Sequence, residues 1–318
     1  MTTLKIASTQ FQTYNGVADP NLDTIERLTI QAQSQGCQVI SFHECCIQGY
    51  TFAKYLSKAE LLSISEFVPS GPSIQRLMDI SAKTGVAILA GLFEKDSEEN
   101  IYNTYVCVQG SKLVAKYRKL HPFISQYLSA GNEYVTFELL GWKCGILICY
   151  DNNVIENVRA TTLLGAEIIF MPHVTGCTPS PMPGRGFVDH TLWENRVLDP
   201  MPLRQEFDGP KGRGWLMRWL PARAYDNGVY VVFTNPIGMD HDQLKCGNSM
   251  ILDPFGEILA ECRSFEDEIC CGTLVKEKLS LAGGFRYRNA RRPELYNEIF
   301  TKPHTSTLNV VWLNQAKE

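Results

Sequence analysis

The stretch GILICYDNNVIENVR (145–159) runs from an apolar segment through a polar turn into a helical pattern, and a second apolar segment, EIIFM (167–171), follows directly after Gly165-Ala166. Strand, helix and strand in such close succession form the unit that builds a parallel sheet with helices on its face. The amino end has the same order. There a strand over 4–10 precedes a helix over 23–35, whose Ile25, Leu28 and Ala32 share one side before Gly36 ends it, and a strand over 38–42 follows. A helix near 74–84 and a strand over 86–93 extend the pattern, whereas 102–109 and 112–117, joined at Gly110-Ser111, read as an antiparallel hairpin. The expected class is α/β with mixed sheets.

Between 175 and 211 the texture changes to GCTPSPMPGRGF and similar sequence, with a short helix near 190–196, which reads as a long surface excursion. Regular structure resumes with a helix over 214–227, a strand over 229–234 and β-rich pieces at 249–253, 257–261 and 269–275. From 281 the chain is a polar tail with one helix near 294–300 and an apolar TLNVVWL run (307–313), whose Trp312 needs a partner surface to cover it.

Composition bounds the function. A chain of 318 residues with 44% hydrophobic and 20% charged residues is globular, which excludes disorder and fibres. Thirty Lys plus Arg against thirty-four Asp plus Glu leave no basic surplus for nucleic acid or an anionic membrane surface. The apolar runs are strand-length, far short of the roughly 20 residues that span a bilayer. Eleven cysteines are an odd count, and MTTLKIASTQ lacks the layout of a signal peptide, so free thiols in a reducing cytoplasm are expected. No CxxC pair suggests zinc. The adjacent pairs Cys45/Cys46 and Cys270/Cys271 point opposite ways on an extended backbone, and packing is the ordinary role for such thiols.

In open α/β sheets, ligands bind beyond the carboxyl ends of strands. Three strand ends turn abruptly polar: Glu44 after VISFH, Lys119 after VAKYR, and Cys149 after GILI. Singly, each has a plain explanation as a solvated charge or a core thiol. Together they carry covalent chemistry, with Cys as nucleophile, Glu as general base and Lys as a fixed cation for an oxyanion. The first turn of the helix after Cys149 would favour thiolate. His43 and His121 stand beside Glu44 and Lys119, so either could instead pair with Cys149 as in thiol proteases.

The blocks ISFHE (40–44), YRKLHP (117–122) and GILICYDNNVIENVR resemble, in this order, the signature blocks of the nitrilase superfamily of carbon-nitrogen hydrolases. ARAYDNGVYVVFTN (222–235), GNSMILDPFGEIL (247–259) and ARRPELY (290–296) extend the resemblance over essentially the whole chain. It implies a four-layer αββα sandwich of two mixed sheets, a hydrolase domain over 1–280, and a tail over 281–318 packed on the partner of a homodimer. It also implies Glu44 as general base, Lys119 as stabiliser of the tetrahedral intermediate, Cys149 as nucleophile and the Tyr150 backbone N–H in an oxyanion hole. Neither a metal nor an organic cofactor is implied. Glu156 and Arg159, at i and i+3, are similar to a family pair and read as a simple ion pair.

Many members carry a second glutamate between the lysine and a glycine like Gly131, but KLHPFISQYLSAGNEY (119–134) has none there. Gln126 takes the nearest equivalent position, with Glu133 just beyond the glycine. Members acting on nitriles resemble one another in a Trp-Glu after the cysteine, whereas Tyr150-Asp151 looks more like amidases and carbamoylases. The expected reaction is hydrolysis of a small amide or N-carbamoyl compound through a Cys149 thioester. A nitrile hydrolase, an acyltransferase to an amine acceptor and a catalytically weakened binding or scaffold member are the alternatives. His173, after the strand ending in Pro172, is a candidate substrate contact. Arg185, Arg196 and Arg204 in the excursion could clamp a carboxylate, or pair with Asp189, Glu194 and Asp208.

Overall fold

The computed structural model describes residues 2–122 and 124–306. A first sheet contains β1 (Thr3–Gln10), β2 (Val39–Ser41), β3 (Ala87–Lys95), β4 (Ile101–Gln109) and β5 (Lys112–Arg118). A second contains β6 (Thr136–Leu139), β7 (Trp142–Ile146), β8 (Ile168–Pro172) and β9 (Tyr230–Thr234). After them come the hairpin β10 (Ile237–Asp240) and β11 (Gln243–Cys246), then β12 (Met250–Leu252), β13 (Ile258–Glu261) and β14 (Glu268–Val275). The sheet orders are β14-β1-β2-β3-β4-β5 and β13-β12-β9-β8-β7-β6. Each sheet has a parallel centre, β1-β2-β3 or β7-β8-β9, flanked by antiparallel strands, so both are mixed.

Strand alternation makes the layers. Leu4 and Ile6 of β1 and Ala87 and Leu89 of β3 join Ile146, Phe170 and Val232 between the sheets. The intervening Ala7, Ile88 and Ala90 pack outward on Leu22, Ile25 and Leu28 of the helix Asp19–Ser34 and on Ile74 and Leu77 of the helix Pro72–Thr84. On the other side the core continues to Val158, Leu220 and Ala224, from the helices Ile155–Leu163 and Leu220–Tyr225. The result is helices, sheet, sheet, helices. Burying each large aliphatic side chain contributes about 1.5–3 kcal/mol.

The structure differs from the sequence reading where local punctuation was missed. The single helix expected over 214–227 is two, Arg213–Leu216 and Leu220–Tyr225, because Pro221 cannot donate a hydrogen bond inside a continuous helix. The excursion holds an extra helix, Pro200–Asp208, with Pro in its first turn. The tail divides. The helix Gly283–Asn289 docks on its own chain, where a Cβ on Gly284 would lie 2.1 Å from the Gly228 nitrogen, while Leu295, Ile299 and Phe300 of Pro293–Phe300 are exposed. TLNVVWL and Trp312 lie outside the described residues.

Gly145 is where β7 meets the helix Ile155–Leu163: a Cβ there would lie 2.4 Å from the Thr161 methyl and 3.3 Å from the Ala166 Cβ. Gly145→Ala is therefore expected to destabilise the fold by about 1–3 kcal/mol through overpacking. Urea unfolding checks this, and an unchanged midpoint would contradict the contact.

Candidate active site

Glu44, Lys119 and Cys149 converge where the carboxyl ends of β2, β5 and β7 meet between the sheets. Lys119 and Glu44 are fully buried, and Lys119 Nζ donates to Glu44 Oε1 at 2.5 Å. The same oxygen accepts from Asn103 Nδ2 at 2.6 Å, and Oε2 accepts from the Val174 N–H at 3.0 Å. The Cys149 sulfur lies against the Glu44 carboxylate and the Val174 N–H. Val174 follows β8, so Glu44 of the first sheet is held by backbone from the second.

Two of the left-handed non-glycine residues lie at this site, Cys45 at φ 46° and Cys149 at φ 49°. Such φ values cost side-chain-bearing residues energy and persist only where the surroundings impose them. The surroundings are visible. Gly91 admits the Glu44-Cys45 backbone, since a Cβ on it would lie 2.4 Å from the Cys45 nitrogen. Gly131 passes against Arg118, where a Cβ would lie 2.2 Å from the Arg118 carbonyl oxygen, and its N–H donates to the Lys119 carbonyl at 2.8 Å.

Asp151 fastens the lysine loop to the cysteine loop. Fully buried, it accepts from the Tyr117 hydroxyl at 2.8 Å, the His121 N–H at 2.9 Å, the Leu120 N–H at 3.2 Å and the Ile148 N–H at 3.3 Å. Asn152 donates to the carbonyls of Leu147 (2.7 Å) and Cys149 (3.3 Å). The Tyr50 ring faces Lys119 Nζ at 5.6 Å, and its buried hydroxyl has no hydrogen-bond partner among the described residues.

Burial pushes the Cys149 thiol up to about 12, with the Glu44 charge adding to the rise and Lys119 opposing it. Cys149 therefore rests as a thiol. Burial also works against the Lys119 ammonium, but Glu44, Cys149 and Asp151 outweigh it and leave its pKa raised. Expectation and structure part here: burial leaves the Cys149 thiol raised rather than lowered.

Of the other candidates, Tyr150 is the second residue of the short helix Cys149–Asn152, so its backbone N–H sits beside the sulfur's own residue. His173 is buried, with Nε2 3.1 Å from Asn152 Nδ2 and its ring against Phe233 and Trp219. Burial, reinforced by Lys119, holds it neutral. Gln126 is exposed in the turn between Ser125 and Leu128 and makes no hydrogen bond among the described residues, and Glu133 is exposed as well. The structure brings neither to Lys119. Besides Glu44, the Asp151 charge supports that ammonium.

His43 packs on Phe11 with both ring nitrogens unpartnered and is driven down to about 3 by burial, while His121 faces Asp151 at 2.8 Å. Neither pairs with Cys149. Arg159 does not pair with Glu156 but donates to the Asp226 carbonyl at 2.9 Å, capping the helix Leu220–Tyr225. In the excursion, Arg185 stacks on Trp215 at 4.0 Å, Arg196 on Trp193 at 3.8 Å and Arg204 on Phe265 at 4.1 Å, so these guanidiniums brace the excursion. Among the described residues, no three His, Cys, Asp or Glu side chains gather as a metal site. No described helix is long and apolar enough to cross a membrane.

A carbon-nitrogen hydrolase family model matches residues 5–282. The chain belongs to that family. Curated relatives of this carbon-nitrogen hydrolase include a nitrilase of Pyrococcus abyssi, 28% identical over 84% of this chain and 87% of the relative. A 2-oxoglutaramate amidase of Bacillus subtilis is 29% identical (80% and 85% covered), and an N-carbamoylputrescine amidase of Solanum lycopersicum is 26% identical (93% and 94%). Among solved structures, a nitrilase-superfamily amidase from Nesterenkonia superposes with a TM-score of 0.69 at 20% identity, covering 93% of this chain and 97% of that one. It has the same two-sheet fold.

The buried titrating groups set a pH window for stability. Cys46 and Cys149, both pushed up to about 12 from 9.0, lose protons first in the unfolded chain, so stability present below about pH 9 declines as pH rises toward 12. His43, lowered to about 3 from 6.5, takes up its proton first in the unfolded chain, so stability declines as pH falls below about 6.5. The urea midpoint should plateau between these limits. Above about pH 9 each such thiol contributes a slope of up to about 1.4 kcal/mol per pH unit. A midpoint constant to about pH 11 would contradict the burial of these thiols.

Proposed function

We propose that the chain hydrolyses a non-peptide C–N bond of a small amide or N-carbamoyl compound through a thioester on Cys149. The observation that carries this reading is the buried Glu44–Lys119 pair against the Cys149 sulfur. As the sulfur attacks the carbonyl carbon, its proton passes to Glu44. The oxyanion that forms is stabilised by the Lys119 ammonium and the Tyr150 N–H. Collapse breaks the C–N bond, the proton moves from Glu44 to the leaving nitrogen, and ammonia or an amine departs. Water then attacks the thioester as Glu44 takes its proton. The acid leaves, and the sulfur recovers a proton. With a thiol pushed up to about 12, attack needs a carboxylate in contact, which suits a Cys-Glu pair.

The names of the amidase relatives support amide and carbamoyl substrates. Tyr150-Asp151 after the cysteine supports them over nitriles, and Asp151 also has a structural use in holding the two loops. The eleven free thiols suit a reducing compartment such as the cytoplasm.

Cys149→Ala is expected to abolish ammonia release across a panel of amides, carbamoyl compounds and nitriles. Glu44→Gln is expected to slow it about 10³-fold. Intact-mass spectra of the parent should show an acyl adduct lost in Cys149→Ala. Carbon dioxide released alongside ammonia marks a carbamoyl substrate, and product that requires an added amine marks a transferase. No adduct and no ammonia with any substrate would sink the reading.

We also propose a homodimer through the groove lined by Ile155, Arg159, Leu163, Ala222, Tyr296 and Phe300, a concavity of about 530 Å³. Ile155 (58%), Leu163 (42%) and Phe300 (66%) are too exposed for a solitary surface. Sedimentation at micromolar concentration should give a dimer, and a monomer there would contradict it.

A further inference from the structure

Cys270 and Cys271 are neighbours on β14 and face opposite ways. Cys270 is buried with its sulfur against the Ser249 carbonyl at 3.6 Å, whereas Cys271 turns to the outer, helix-covered face of the first sheet. Of the eleven cysteines, ten are buried and Cys271 is the one partly open to solvent. Its sulfur has a second sulfur beside it. Cys37 Sγ lies 3.3 Å away and donates to it, and Cys271 Sγ in turn donates to Gln35 Oε1 at 3.1 Å. Cys177 and Cys246 also interact, but both are buried, out of reach of a solute.

The fold brings Cys37 and Cys271 together from positions 234 residues apart. The helix Asp19–Ser34 ends at Gly36, whose φ is 74°, with the Gly36 N–H donating to the Gln33 carbonyl at 2.8 Å and the Cys37 N–H to the Ala32 carbonyl at 2.9 Å. This glycine-terminated helix end fixes Cys37 at the entry to β2. Cys271 stands opposite Ala7 of β1, and Cys37 arrives from the β2 side of the same strand, so the sulfurs meet over β1. Lys5, on the same face as Ala7, donates from Nζ to the Gln35 carbonyl at 2.6 Å, which holds an ammonium beside the pair. The Cys37 hydrogen bond brings the Cys271 thiol down to about 7 against the effect of burial, with the Lys5 charge helping. The Gln35 amide can accept from a thiol here or, turned about, donate to a thiolate.

We propose that Cys271 and Cys37 form a peroxide-reactive dithiol, in which Cys271 is the sulfur that meets the oxidant and Cys37 the sulfur that resolves it to a disulfide. The Cys271 thiolate attacks one oxygen of hydrogen peroxide. The O–O bond breaks, the departing hydroxide leaves as water, and Cys271 becomes a sulfenic acid. The Cys37 sulfur then attacks the Cys271 sulfur, the S–S bond forms as the S–O bond breaks, and the Cys37 proton leaves with the hydroxyl as a second water. Peroxide gains the two electrons that the two thiols lose. Closing the pair from 3.3 Å to a bonded length of about 2.0 Å moves a helix end and an edge strand, not the centre of the sheet. The pair sits at the amino end of β2, whereas Glu44 lies beyond its carboxyl end, so the bond forms without touching the catalytic trio. It also lies on the opposite side of the sandwich from the groove at the helix Ile155–Leu163, so a partner seated in that groove leaves it open.

The test exposes the native, reduced protein to millimolar hydrogen peroxide near neutral pH and reads its intact mass and its non-reduced peptide map. A loss of about 2 Da, reversed by dithiothreitol, is expected, with the peptides of Cys37 and Cys271 joined and Cys149 still free. In Cys37→Ala the unresolved sulfenic acid should be captured on Cys271 by dimedone, and in Cys271→Ser the loss of mass should disappear. No disulfide in the parent, a disulfide between other cysteines, or one that survives Cys271→Ser would overturn the proposal. Iodoacetamide on the unmodified native protein keeps it testable if circular dichroism shows a variant unfolded. Cys271 should be alkylated at least about tenfold faster than any other cysteine near pH 7, and a rate no greater than that of the buried thiols would likewise overturn it.

Discussion

The Glu44–Lys119 ion pair is the constraint around which the rest of the cleft is arranged. The pair is fully buried, an arrangement that is favourable only with close geometry and with the remaining lone pairs satisfied. Asn103 and the Val174 N–H do this for Glu44. The donors come from different layers: Lys119 and Asn103 from the first sheet, Val174 from the second. Satisfying one carboxylate therefore fixes the spacing of the sheets at the end where Cys149 lies. The carboxylate that would accept the thiol proton is also the bracket holding the sandwich at its reactive edge.

The backbone at Cys149 follows from the same demand. A sulfur that must lie against Glu44 while β7 ends at Ile146 requires a sharp reversal, and φ of 49° provides it. Asp151 and Asn152 hold that reversal by accepting from and donating to the segments around it. Because Asp151 grips Leu120 and His121, the lysine loop and the cysteine loop move as one piece.

The α/β class and the three strand ends were legible because each has a local signature, whereas the two-sheet sandwich was implied by the family resemblance. Apolar runs of strand length broke into single polar residues at Glu44, Lys119 and Cys149, and strand ends on one side of a parallel centre must meet. What was not legible depends on contacts distant in sequence. Asn103 looks like an ordinary polar residue in IYNTYVCVQ until β4 places it beside β2, although a polar side chain inside an apolar strand was a usable signal. Gln126 occupied a plausible position by counting, but the turn at Ser125 directs it to solvent. The Glu156–Arg159 pairing failed because Arg159 turns to an orphan carbonyl oxygen at a helix end, while Glu156 faces solvent.

The β10–β11 hairpin was the largest omission, and its physics explains why. PIGMDHDQLKCG has short, weakly alternating strands, and its charged residues look like those of a solvated loop. Burial reverses that appearance: Asp240, Gln243 and Lys245 are each at most 2% exposed. Sequence patterning cannot distinguish a lysine at the surface from a lysine under a hairpin, since both read as polar. The three candidate catalytic residues were therefore visible in strand ends, whereas the burial of this hairpin is revealed only by the tertiary structure.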